Sequence, residues 1–242
     1  GSWMQIRQGR VEVHKWWDVD YSPDAVDWSR SDESWQEEVR ATLSEACRLR
    51  LRADVTVGTY LSGGLDSSII TWLSKANHQP DLQSFSIAFS DAGYDESEFQ
   101  NLVAGDIGTE HHRLAIGRES VAEHFERAIW HTETPMHRTA PIPLMQLSGM
   151  VRSAGMKVVL SGEGADEVFG GYDQFKENKI RRFWARSPGS SWRKRLLDRL
   201  EPNVPRSGPR TRAFWYAFYQ EGLGDTHRPG YSHYPRWRNG MS

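Results

Sequence analysis

Short apolar runs alternate with amphipathic stretches along the chain, and the spacing inside each predicts its elements. The opening segment sets Val11 and Val13 two apart before a Trp16-Trp17 pair and "DVDYSPD", which predicts a strand followed by an extended linker. In "SDESWQEEVRATLSEACRLRLRAD" the residues Trp35, Val39, Leu43, Ala46 and Arg50 recur at helical spacing, and Ser34 with Glu37 fits a capping box. Strand-like "VTVGTYL" (55–61), "QSFSIAF" (83–89), "HHRLAI" (111–116) and "KVVLS" (157–161) then alternate with helix-like "DSSIITWLSKAN", "DESEFQNLVAGDIG", "RESVAEHFERAIWHT" and "PLMQLSGMVRSAG". Repeated strand–helix units imply an α/β fold, a doubly wound and mostly parallel sheet with helices on both faces. Ligands of such sheets bind at the carboxyl ends of the strands.

After Tyr172 the pattern changes. Helix-like "DQFKENKIRRFWARS" gives way to a basic, proline-punctuated stretch, aromatic "RAFWYAFYQEGL" and the unpatterned tail "HRPGYSHYPRWRNGMS", with no strand expected. The chain therefore divides into a strand and linker (1–31), an α/β domain (32–175) and a helical layer that stops before its core is complete (176–242).

Composition adds bounds. With 38% hydrophobic and 26% charged residues the chain is ordinary for a globular protein. No apolar run reaches the roughly 20 residues that span a bilayer, and no signal pattern opens the sequence, so a soluble cytoplasmic protein is expected. The single cysteine, Cys47, lies beside the helical apolar face and reads as a buried structural thiol. Net charge is −2, yet residues 176–212 hold twelve Lys/Arg against three Asp/Glu. That asymmetry allows an RNA footprint, but interleaved Phe183, Trp184, Leu196 and Leu197 favour the solvated face of helices, and no nucleic-acid partner is expected.

The chemistry concentrates in two glycine turns. "TYLSGGLDSSIITWL" (59–73) joins a strand to a helix, where unpaired N–H groups and the helix dipole favour an anion. Gly63 and Gly64 let the backbone approach a ligand, and Ser62, Ser67 and Ser68 add hydroxyls. The lysine of the G-x-x-x-x-G-K-[ST] loop is absent. Asp66 would repel a phosphate unless a cation lay between them. "LSGEGADEVFGGY" (160–172) repeats the same grammar, with Asp166 and Glu167 just beyond the turn. If the two strands are neighbours, Asp66 and Asp166 emerge at one sheet edge and suit Mg²⁺, which takes one or two carboxylates plus phosphate oxygens. His111-His112 reads as one buried and one exposed strand residue, and His131, His137 and Arg138 either border a second pocket or form a plain loop.

"YLSGGLDSS" with "VVLSGEGADEVFGGY" resembles the synthetase domain of glutamine-hydrolysing asparagine synthetases, members of the PP-loop ATP pyrophosphatases, over residues 32–176. The resemblance implies ATP and Mg²⁺ as cofactors, a carboxylate such as aspartate activated as an acyl-adenylate, and ammonia as acceptor. It places Leu61, Ser62, Gly63, Gly64, Leu65, Asp66, Ser67 and Ser68 around the nucleotide and its pyrophosphate. Ile87 would present backbone to adenine, Ser161 and Gly162 would line the nucleotide site, Asp66 and Asp166 would hold the metal, and Glu163 would serve adenylate formation. A secondary metabolite or peptide carboxylate, as in β-lactam-forming or lasso-peptide-cyclising relatives, and a PP-loop enzyme acting on tRNA remain alternatives. The family's cysteine-led glutaminase domain is not seen ahead of Gly1, nor its "E-x-R-x-P-F-L-D"-like motif and lysine after residue 176, so a fragment without glutaminase activity is expected, a partner glutaminase domain belongs to the complete enzyme, and a homodimer or an idle assembly module is allowed.

Overall fold

Four strands pair in parallel in the computed structural model, which describes residues 1–20, 22, 24, 26–77, 80–91, 93–200, 209–228 and 230–240. They are β3 (Val57–Tyr60), β4 (Gln83–Phe89), β5 (Glu110–Ile116) and β6 (Val158–Leu160), in the order β5-β4-β3-β6. The chain runs outward from β3 to β5 through α2 (Leu65–Ala76) and α3 (Ser97–Ile107). It returns through α4 (Arg118–Glu123), α5 (Phe125–Thr132) and α6 (Pro141–Ser153) to lay β6 on the other side of β3.

Side-chain alternation sorts the helices onto two faces. Phe85 on β4 packs with Leu147 and Val151 of α6, whereas Thr59 on β3, in register with Ser84, meets Thr71 of α2. Helix α1 (Asp32–Arg50) packs on α2. Strand order therefore reverses between β3 and β6, the place where a doubly wound sheet opens a crevice.

Several expectations are corrected. The opening segment is a hairpin, β1 (Ser2–Arg7) with β2 (Arg10–Lys15), not one strand; Gln8 and Gly9 turn with φ of 50° and 76°. Tyr21 and Pro23 of the expected linker lie outside the described residues, as do Glu201 to Gly208 of the basic stretch and Pro229, Met241 and Ser242 of the tail. Helix α1 is capped by Ser31, whose side chain accepts from Ser34 N, while Glu37 pairs with Arg40. "RESVAEHFERAIWHT" breaks at His124 into α4 and α5. His111 and His112 are both half-buried: His111 Nδ1 lies 2.9 Å from Ser84 Oγ, and His112 stacks on Phe85 at 4.9 Å. Cys47 is buried, and burial pushes its thiol pKa up, as an inert structural role requires. No helix among the described residues is long and apolar enough to cross a membrane.

The described residues of the C-terminal region are largely helical and carry a hydrophobic cluster. It contains α8 (Asp173–Ala185), a 3₁₀ segment (Arg193–Arg199), α9 (Pro209–Gln220) and, within the tail, α10 (Tyr234–Gly240); the helix α7 (Ala165–Phe169) precedes them. Trp184, Leu197, Leu200, Tyr219 and Leu223 form a core of their own. Charge lies inside it. Arg181, 1% exposed, donates to the carbonyls of Tyr219 (3.0 Å), Tyr231 (2.7 Å) and Glu221 (2.8 Å), and burial lowers its pKa. Glu177, 2% exposed, accepts from Tyr219 Oη at 2.6 Å and from both terminal nitrogens of Arg236 at 2.6 and 2.7 Å. Part of the basic surplus thus ties helices together instead of facing solvent.

Two outcomes follow. Arg236→Leu leaves the Glu177 carboxylate buried with one partner fewer, and because Arg236 is itself partly exposed the expected loss is about 2 kcal/mol in urea unfolding. For His111, burial disfavours the imidazolium, so its pKa in the folded chain lies below the ordinary value of about 6.5. Stability tied to the neutral ring is complete above that value and falls as the pH drops through the folded one. A melting-temperature comparison at about pH 7.5 and about pH 5.5 should show a larger acid loss in the native chain than in His111→Asn.

Candidate functional site

At the carboxyl end of β3 the chain turns sharply into α2. Leu61 N donates to Phe85 O at 2.9 Å, and Ser86 Oγ donates to the Leu61 carbonyl, so the turn starts anchored to β4. Gly63 has a φ of 86°, and a Cβ there would lie 2.9 Å from Phe99 Cβ and 3.0 Å from Gln100 N. Only glycine allows this turn to press against α3. The serines brace the loop. Ser62 N donates to Ser67 Oγ (3.1 Å), the two hydroxyls lie 3.0 Å apart, and Ser67 and Ser68 hydroxyls donate to Gly64 O at 3.1 and 2.7 Å. The expected hydroxyl donors are therefore occupied within the loop. What the loop leaves for a ligand is backbone: no side-chain hydrogen bond caps α2 at Gly64, and Asp66 sits in its first turn.

The second turn leaves β6, which pairs with β3 in the register Val57↔Val158, Gly58↔Val159 and Thr59↔Leu160. Gly162 rests against the first turn of α2, where a Cβ would lie 2.7 Å from Ser67 N and 2.8 Å from the carbonyl carbon of Asp66. Helix α7 follows, with Asp166 and Glu167 in its first turn. Tyr172 Oη donates to Glu167 Oε1 at 2.8 Å. That bond, with the neighbouring charges of Glu167, Asp166 and Glu163, raises the Tyr172 pKa and marks a concentration of negative charge at the mouth.

Between the two turns lies a cavity of about 580 Å³, within the range of small-molecule sites. Of the residues expected from sequence, Leu61, Ser62, Asp66, Ser67 and Ile87 line it from the first turn and β4, and Ser161, Gly162, Glu163 and Asp166 from the second. Gly63, Gly64, Leu65 and Ser68 are not among the lining residues: the glycines shape the turn, and Leu65 is 75% exposed. His131, His137 and Arg138 are exposed and do not line it either. Phe89, Glu96, Gln100, Leu144 and Tyr172 do, and were not foreseen. A signal existed for Gln100, which falls one turn before Ala104 on the buried face of α3.

The donor set suits a nucleotide and a hard cation better than a metal held by protein alone. Among the described residues no group of three or more His, Cys, Asp or Glu gathers to hold a metal. Asp66 and Asp166 face one cavity from two turns, and a helix N-terminus without a side-chain cap opens beside them.

The family model described as asparagine synthase matches residues 38–236. The chain is 34% identical over 197 residues to the amidase chyE of Penicillium rubens, covering 76% of this chain and 29% of that protein. It is 32% identical over 198 residues to asparagine synthetase [glutamine-hydrolyzing] 1 of Bacillus subtilis, covering 81% and 30% respectively. To asparagine synthetase B [glutamine-hydrolyzing] of Escherichia coli it is 34% identical over 188 residues, covering 72% and 32%. The chain thus spans about a third of the length of the curated relatives it matches. On the family match over most of its length, the chain belongs to the asparagine synthase family.

Proposed function

We propose that this domain catalyses the ATP-dependent amidation of a carboxylate through an acyl-adenylate. The carrying observation is the juxtaposition of the uncapped α2 N-terminus with Asp66, Asp166 and Glu163 around one cavity. In the first step a carboxylate oxygen of the substrate attacks the α-phosphorus, the bond to the β-phosphate breaks, and pyrophosphate leaves. In the second, ammonia attacks the acyl carbon, the bond to AMP breaks, and the nitrogen sheds a proton as the amide forms.

The residues divide this work. The first-turn N–H groups of α2 hold the pyrophosphate, with the helix dipole stabilising its charge. Asp66 and Asp166 would hold Mg²⁺, which when bound supplies positive charge against the phosphates. That cation answers the acidity of the mouth, where Glu163, Asp166 and Glu167 would otherwise repel a polyphosphate. Ile87 and Leu61 flank the nucleotide, and Glu163 is assigned to the adenylation step. Aspartate is the leading substrate, with ammonia drawn from glutamine; two relatives named asparagine synthetase and glutamine-hydrolyzing support this reading. The amidase relative supports a carboxylate other than aspartate as the second reading.

A screen of carboxylic acids with ATP, Mg²⁺ and an ammonium salt should release pyrophosphate and AMP with the correct acid. Formation of ADP and phosphate instead would show that the γ-phosphoryl group is transferred and that the reading is wrong. Asp66→Asn should lower turnover about a thousandfold while leaving the urea unfolding midpoint nearly unchanged. Full turnover by that variant would remove the metal-holding role.

A further inference from the structure

The loops account for the phosphates; the base needs a reader of its own. Gln100 on α3 is 2% exposed and lines the cavity. Its Nε2 donates to the Ile87 carbonyl at 2.9 Å, while its Oε1 is buried without any hydrogen-bond partner. The cause lies in the sheet. Leu61 N closes the ladder on Phe85 O, and β3 then ends, so Ile87, two residues further along β4, faces the gap where the loop departs. The Gln100 side chain fills that gap with its donor and leaves its acceptor over.

An unpaired buried acceptor is costly, and a ligand N–H or O–H relieves it. The oxygens of a Mg²⁺-bound polyphosphate are acceptors, so Oε1 finds no donor in the pyrophosphate. Surroundings separate the remaining donors. Phe89, Leu144 and Leu147 give the cavity an apolar lining suited to a flat base, whereas Glu96, the residue just before α3, is exposed and suits ribose hydroxyls. The last torsion of glutamine is broad, so a small turn of the carboxamide presents Oε1 to the cavity. Resting on the ATP-dependent reading above, we infer that Gln100 is a specificity residue that accepts a hydrogen bond from the exocyclic amine of adenine. Guanine sets a carbonyl oxygen at the same place, and two acceptors would face each other.

The test is nucleotide binding to this chain by calorimetry, with Mg²⁺ present and no acid substrate. ATP should bind about tenfold more tightly than purine riboside triphosphate, which lacks only the amine. Gln100→Leu should weaken ATP about tenfold and abolish that difference. Equal affinity of the native chain for the two nucleotides would overturn the inference without needing the variant, and would indicate that water satisfies Oε1. A loss that follows 2′-deoxy- or 3′-deoxy-ATP, with the amine indifferent, would also overturn it by assigning Gln100 to the ribose. Absence of ATP binding by the native chain would overturn the ATP-dependent reading itself, an outcome distinct from the other two.

Discussion

The parallel pairing of β3 with β6 is the constraint on which the site depends. Each strand ends in a glycine turn, and neither turn makes a site alone. Their registry at Thr59↔Leu160 sets both turns at one sheet edge. The approach of Gly162 to Ser67 N and the Asp66 backbone then locks the second turn onto the first helical turn of α2. Asp66 and Asp166 face one cavity because of that contact, although a hundred residues separate them. A side chain at 162 would force the loops apart before it disturbed any ligand.

Electrostatics frames the aspartate at the N-terminus of α2. The α2 N-terminus carries partial positive charge, but Asp66 in its first turn already answers much of it. The second turn brings further acid through Glu163, Asp166 and Glu167, so under the proposed reaction a phosphate placed here needs a cation beside it. The serines work differently from their appearance in the sequence. Their hydroxyls hold the loop shape through Gly64 O, which keeps the backbone amides of the turn fixed before any ligand arrives.

The sheet was legible because its strands are apolar runs with sharp ends: "QSFSIAF" coincides with β4, and both glycine turns sit at strand termini. Local signals with two readings were less so. Gln8-Gly9 is a weaker turn mark than Asn-Gly, so the hairpin reads as one strand in the sequence. Ser34 with Glu37 has the spacing of a capping box, and only the backbone shows that Ser31 is the cap. Tertiary pairing hid the rest. Glu177 and Arg181 look like surface charge in "KENKIRR", and their burial depends on carbonyls and side chains some forty to sixty residues later. Gln100 reads as an ordinary polar helix residue until β3 ends beside it.

The position of β6 at the sheet edge has a consequence for how the molecule comes into being. Strands β3, β4 and β5 follow one another with single crossovers, so each finds its neighbour soon after it is made. The partner of β3 on its other side arrives only after α4, α5 and α6, roughly a hundred residues later. During synthesis the turn from β3 into α2 exists first as a half-built edge, with its aspartate facing solvent and no second loop to meet. Competence is thus conferred by the three-residue strand Val158–Leu160, and the chain acquires its site in a single late docking event instead of by gradual accretion.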